Sequence, residues 1–193
     1  MMVCSADAVL EATTHHYRLS RTEYDRAVEA GVFETDAKLE LVDGDLLAMT
    51  PQGSRHATGV DLVADSLRHV FRTGFHVRMQ LPLAIDEYSE PEPDVAVVTG
   101  GIRDYRDAHP TSALLVVEVS DESLHRDRTV KQRLYARCGI PEYWILAVPD
   151  ARVEVYRDPA ADGYRTVTIH RAGETITPLA RPEARIAVDD LLP

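Results

Sequence analysis

Four residues break the local pattern of the segments that carry them, and together they could bind a cation and activate water. Glu40 lies in the apolar run "LELV", Asp94 opens "DVAVV", Glu118 interrupts "LLVVEV", and Lys131 sits on the helical stretch that follows. A carboxylate buried without a partner costs several kcal/mol by order of magnitude, so something must balance Glu118. Strands lie about 4.8 Å apart. If the strands of Asp94 and Glu118 are neighbours, both carboxylates can leave one face, where they repel unless a cation or a proton lies between them. Hard oxygen ligands suit Mg²⁺ or Mn²⁺, with bonds of about 2.0–2.1 Å for Mg²⁺. Glu40 could hold a water or a second ion, and the amine of Lys131 would offset charge and orient an attacking water. Each residue alone also fits an ordinary role. Glu118 could pair with a buried arginine, "PD" could be a turn, Glu40 could be a solvated strand residue, and Lys131 an exposed helix lysine. The combination is more specific than any member.

The segments that must position these residues follow from pattern. Ser20 and Glu23 form a capping box that predicts a helix over 21–30, stopped by Gly31. "AKLELV" and "DLLAMT" flank Asp43-Gly44 as a hairpin. A long helix begins at Ser54, with Val60, Val63, Ala64, Leu67, Val70 and Phe71 at helical spacing and Gly74 as its end. "FHVRMQLPLAI" reads as a strand bent near Pro82, and "DEYSEPEP" as an acidic loop. "PDVAVV" and "ALLVVEVS" read as buried strands, joined by a loop over 100–112. "RDRTVKQRLYARCG" is helical, with Val130, Leu134 and Tyr135 on one face. "EYWILAV" and "RVEVYRD" are strands, and residues 158–193 read as a C-terminal β appendage. This order predicts an α/β (α+β) fold: a mixed central sheet flanked by helices, in one domain over 1–193.

Composition bounds the function. The 193 residues are enough for a proper core, and 45% hydrophobic with 27% charged residues suits a globular protein. Cys4 and Cys138 match no zinc spacing or disulfide framework, so a reduced, cytoplasmic setting is expected. The N-terminal stretch has no apolar core of a signal peptide, and no apolar run approaches the roughly 18 residues of a membrane span. The net charge of −11 argues against a general nucleic-acid binder but not against an enzyme with a small basic patch. Lys38 and Lys131 are the only lysines among 21 basic residues.

"PDV", "VVEVSDES" and "RDRTVKQRLYARCGIPEYWIL", preceded by "LELVDGDLLAMTPQGSRHATGV", resemble the Uma-type putative restriction endonuclease family of the PD-(D/E)xK nuclease superfamily. The resemblance spans about residues 17–157. It implies a restriction-endonuclease-like core and a Mg²⁺-dependent endodeoxyribonuclease, with Mn²⁺ as an alternative ion and a 5′-phosphate on the product. By that resemblance Asp94, Glu118 and Glu40 are metal-binding acids, and Lys131 supplies the amine. The superfamily places its lysine two residues after the second acid. Ser120 stands there in this chain.

His56 at a helix start, Gln80 on a central strand before the acids, and Arg55, Arg126 and Arg128 are the candidates for contact with DNA; Arg133 extends the same basic patch. The bland reading of these arginines is a solvated helix face. Tyr143 and Trp144 are expected in the core. A homodimer is expected if both strands of a duplex are cut, because one chain offers one site. The acidity leaves room for a separate DNA-binding partner. The competing reading is an inactive DNA-binding or dimerisation module on the same fold.

Overall fold

The computed structural model describes residues 16–34, 37–49, 51–121 and 123–193. Cys4 and the N-terminal stretch that suggested no leader lie outside them. Helix α1 (Arg21–Glu29) starts at Ser20, whose hydroxyl accepts from the Glu23 amide while the Glu23 carboxylate accepts from the Ser20 amide. The hairpin follows as β1 (Leu39–Val42) and β2 (Asp45–Ala48), an antiparallel pair separate from the main sheet. Its two turn residues both have positive φ, Asp43 at 55° and Gly44 at 86°, the conformation that matches strand twist in a tight hairpin.

Gly44 is required twice over, because a Cβ there would lie 2.6 Å from the Arg18 Cβ and 2.8 Å from its Cα. Gly44→Ala is therefore expected to destabilise the protein by roughly 1–3 kcal/mol. A lowered urea midpoint with an unchanged slope would register it.

Helix α2 (Ser54–Val70) ends before Gly74, and Phe71 already has extended backbone. Strand β3 (Phe75–Met79) is shorter than its sequence suggested. It stops where Gln80 enters the left-handed region at φ 49°, and Pro82 keeps the next residues out of the ladder. Strands β4 (Val95–Thr99) and β5 (Leu115–Ser120) follow. The helical connection to β6 (Glu142–Ala147) has three parts: α3 (Leu124–Arg126), a π-helical turn over Asp127–Lys131, and α4 (Gln132–Arg137). Strands β7 (Arg152–Ala160) and β8 (Gly163–Arg171) complete a six-stranded sheet of order β3-β4-β5-β6-β7-β8. Only β5 and β6 run parallel, as their helical crossover requires. The fold is the expected mixed sheet between helices.

Two expectations are corrected. Gln80 lies just past the end of an edge strand, not on a central one. Residues 158–193 are not peripheral to the packing: β8 pairs along the whole of β7. Ile176 and Ile186, from the short pair β9 (Thr175–Ile176) and β10 (Ile186–Ala187), sink with Val188 and Leu191 into the core beneath α2.

The sheet buries both faces. On one, Val60, Val63, Ala64 and Leu67 of α2 pack on Val95, Val97, Val117, Val119 and Trp144. On the other, Tyr135 and Ile140 pack on Ala96, Val116, Tyr143 and Ile145. Tyr143 and Trp144 are fully buried, as expected. Gly59 brings α2 close to β5, since a Cβ there would meet Val119 Cγ1 at 3.0 Å. That approach brings the start of α2 toward the sheet's rim. No helix among the described residues is long and apolar enough to cross a membrane.

Candidate active site

The β4–β5 pair determines where the acids go. Val95 stands opposite Val117, so Asp94 and Glu118 occupy the next cross-strand position and lie side by side at the rim. Pro93 cannot donate to a ladder, and side chains replace main-chain bonds here. The Val119 amide donates to Asp94 Oδ2 at 2.8 Å, and the Asp94 amide approaches Glu118 Oε2 at 3.4 Å.

Both acids are buried, as are Glu40 and Lys131. Glu40 is brought in by the hairpin, which docks on the segment before β4 through reciprocal main-chain bonds between Leu41 and Glu90. Lys131 Nζ donates to Glu118 Oε1 at 2.9 Å and lies 3.1 Å from Glu40 Oε2. Tyr135 adds its hydroxyl to Glu118 Oε1 at 2.8 Å. The question posed by a carboxylate in "LLVVEV" is thus answered by an amine and a phenol from one helix.

The π turn makes this arrangement. One extra residue per turn rotates the chain, as π-bulges often do at functional sites. Val130, expected inward, is 40% exposed, and Lys131 takes the buried place instead. The same turn buries Asp127, whose carboxylate accepts from Ser120 and Ser123. Ser120 occupies the position where the superfamily pattern puts its lysine, and it reaches back to the helix that carries Lys131.

Electrostatics follow from burial. Burial opposes the charge on Lys131, yet Glu118, Glu40 and Asp127 raise its pKa above the ordinary lysine value. Burial pushes Glu118 up to about 8 against the pull of Lys131. Burial also works against the charged form of Asp94, but His56, the Val119 amide and Lys131 outweigh it and hold the carboxyl below its usual range. Hydrogen bonding to Asp94 raises His56 in turn.

The remaining sequence candidates divide. His56 Nε2 lies 3.1 Å from Asp94 Oδ1, and Gln80 Nε2 donates to the same oxygen at 3.3 Å. Both therefore orient an acid, the role the sequence reading did not give them. Arg126 joins the four central residues in lining a cleft of about 260 Å³, and its Nε is buried with no hydrogen-bond partner among the described residues. Arg128 is corrected. The helix turns it to the far side, where it pairs with Glu154 of β7 and lies 3.6 Å from Asp150. Arg55 and Arg133 are exposed and do not line the cleft. Asp127 and Tyr135 were missed. Their spacing of four residues on either side of Lys131 was the available signal, since such residues share a helix face.

The donor set suits a hard divalent cation. Such an ion takes one or two carboxylates and completes its shell with water or phosphate oxygens. Among the described residues Glu118 Oε2 has only the long contact to the Asp94 amide, and Glu40 Oε1 is buried with no hydrogen-bond partner. Among the described residues no three acidic, imidazole or thiol groups converge as a metal cage. Lys131 sits between Glu40 and Glu118, so Asp94 and Glu118 form the fitting pair and Glu40 reaches the site through the amine.

Comparison with known proteins gives the chain a fold relative and a family. A crystal structure of a putative nuclease belonging to DUF820 from Anabaena variabilis superposes with a TM-score of 0.68 at 16% identity. The alignment covers 90% of this chain and 97% of that one, and it establishes likeness of fold. No curated protein matches the sequence. The family model Uma2, described as a putative restriction endonuclease, matches residues 21–189, and the chain belongs to that family.

Proposed function

We propose that the chain is an endonuclease that hydrolyses DNA phosphodiester bonds with a divalent cation, Mg²⁺ or Mn²⁺, held by Asp94 and Glu118. The observation that carries this reading is the buried Lys131 amine between Glu118 and Glu40, next to the register-paired Asp94. A purely structural carboxylate needs one partner. This group assembles three acids and an amine at an open cleft.

The ion would supply Lewis-acid stabilisation of phosphoryl charge and a more acidic water. The protein's own residues do the rest. His56 and Gln80 fix the orientation of Asp94. Lys131 keeps its proton and presents a point charge where negative charge develops on the phosphate. Glu40 Oε1, an acceptor with no donor among the described residues, can orient the attacking water. Arg126 faces the same cleft and can bind a phosphate oxygen. Water attacks phosphorus, the 3′ oxygen leaves, and a 5′-phosphate remains. Each chain carries one such site, so a cut through both strands calls for a homodimer.

The test is incubation with plasmid and with single-stranded DNA in Mg²⁺, Mn²⁺ or EDTA. Cutting is expected with either ion and not with EDTA. Cutting that survives EDTA would overturn the cation's role. Absence of cutting in all three, with no metal binding by calorimetry, would favour the inactive module.

A further inference from the structure

We propose that the groove beside the acid cluster seats an unstacked nucleobase next to the scissile phosphate, so that the chain prefers an unpaired strand to an intact duplex. This rests on the reading of the acid cluster as a nuclease site.

The groove encloses about 880 Å³ and is continuous with the acid cleft, because Met49, Pro51, Gln52, Glu92 and Asp94 line both. Its far wall is aromatic. The rings of Tyr24 and Phe33 lie 6.0 Å apart at 42°. The Tyr24 hydroxyl donates to the Leu39 carbonyl at 3.0 Å, which fixes that ring by its edge. Val28, 51% exposed on α1, adds apolar surface. Gln80 lines the groove along with this wall and Asp94. Its backbone is held in the left-handed region by an amide that reaches the carbonyls of Pro93 and Asp94, both at 3.1 Å. A non-glycine residue kept there stores strain, which persists where surroundings enforce a geometry. Lys38, the chain's second lysine, lines the same groove.

A groove with an aromatic and aliphatic wall, and with the side-chain amides of Gln52 and Gln80 among its polar lining, suits a base: two faces to stack and an edge to hydrogen-bond. Charge leads to the same occupant. Affinity for duplex DNA rests on basic residues free to neutralise phosphates. Here the net charge is −11, and Arg128, Arg137, Arg152 and Arg157 are tied to the chain's own carboxylates. With these four arginines engaged within the chain, stacking on the groove's aromatic wall can supply part of the binding.

The experiment measures anisotropy of labelled oligonucleotides about 12 nucleotides long, in EDTA and again in Ca²⁺. The probes are oligothymidylate, a strand of the same length made of abasic sites, and a blunt duplex. Oligothymidylate is expected to bind at least about fivefold tighter than either of the others. Val28→Trp, which fills the groove from an exposed position, should remove that advantage and leave abasic binding unchanged. Phe33→Ala should weaken oligothymidylate alone. Matching thermal midpoints would confirm that both variants fold. Equal binding of thymidylate and abasic strands, a duplex bound as tightly, or no effect of Val28→Trp would each overturn the inference. The two readings separate cleanly. DNA cut without base-dependent binding sinks only the groove, and base-dependent binding without any cutting sinks only the nuclease.

Discussion

Asp94→Asn is expected to reduce DNA cleavage by about a thousandfold while leaving the protein folded. A cation's stabilisation of phosphoryl charge is worth several kcal/mol, and ~4 kcal/mol corresponds to about that factor in rate. Asparagine keeps a carbonyl oxygen for the Val119 amide, which now donates to Asp94 Oδ2. What it loses is the charge and the acceptor that faces His56 and Gln80. The stability cost should therefore be small beside the catalytic one. Calorimetric titration with Mn²⁺ supplies the second readout, and the variant should bind the ion far more weakly. A variant that still cuts at the wild-type rate would remove Asp94 from the mechanism. So would a variant that loses activity only because its thermal midpoint collapses.

The placement of Asp94 was legible because β-strands announce their register in apolar alternation. "DVAVV" and "LLVVEV" pair through Val95 and Val117, and an acid at each pattern break must then meet its counterpart. The hairpin was equally legible, since Asp43-Gly44 demands positive φ at both positions. The helix carrying Lys131 was only half legible. Apolar spacing at a period of 3.6 put Val130 inward, but the π turn is a matter of hydrogen-bond pattern, which side-chain types do not encode. That single turn moved Val130 to solvent, Arg128 to Glu154, and Lys131 and Asp127 into the site. The C-terminal strands were misjudged for a different reason. β8 shows little burial along its length, so its sequence looks peripheral even though its backbone extends the central sheet. His56 and Gln80 could be nominated from type and position, but their common partner, one oxygen of Asp94, exists only in three dimensions.

Lys131→Met should produce the largest loss of stability of any single change at the site, about 3–5 kcal/mol. Methionine matches the apolar stem of lysine but removes the only cation in contact with Glu118 and Glu40 among the described residues. Two buried carboxylates are then left to repel each other. At roughly 2–4 °C per kcal/mol for a chain of this size, the thermal midpoint should fall by on the order of 10 °C. The pH dependence identifies the cause. Burial already pushes Glu118 from 4.5 to about 8, and Lys131 is what restrains it. Without the amine its native pKa rises further. A carboxyl whose native pKa exceeds its unfolded value costs nothing where both states are protonated. The cost appears as pH climbs above about 4.5 and is complete only above the native pKa. Between pH 5 and 8 Glu118 is protonated in both native states, so the gap between variant and wild type should stay level there and widen only above about pH 8, as urea midpoints recorded from pH 5 to pH 10 would show. Lys131→Met combined with Glu118→Gln should recover a large part of the loss, because the amide can still accept from Tyr135 without carrying charge. A double variant as unstable as the single one, or a gap that does not change with pH, would show that Lys131 acts through packing and not as the counter-charge of the cluster.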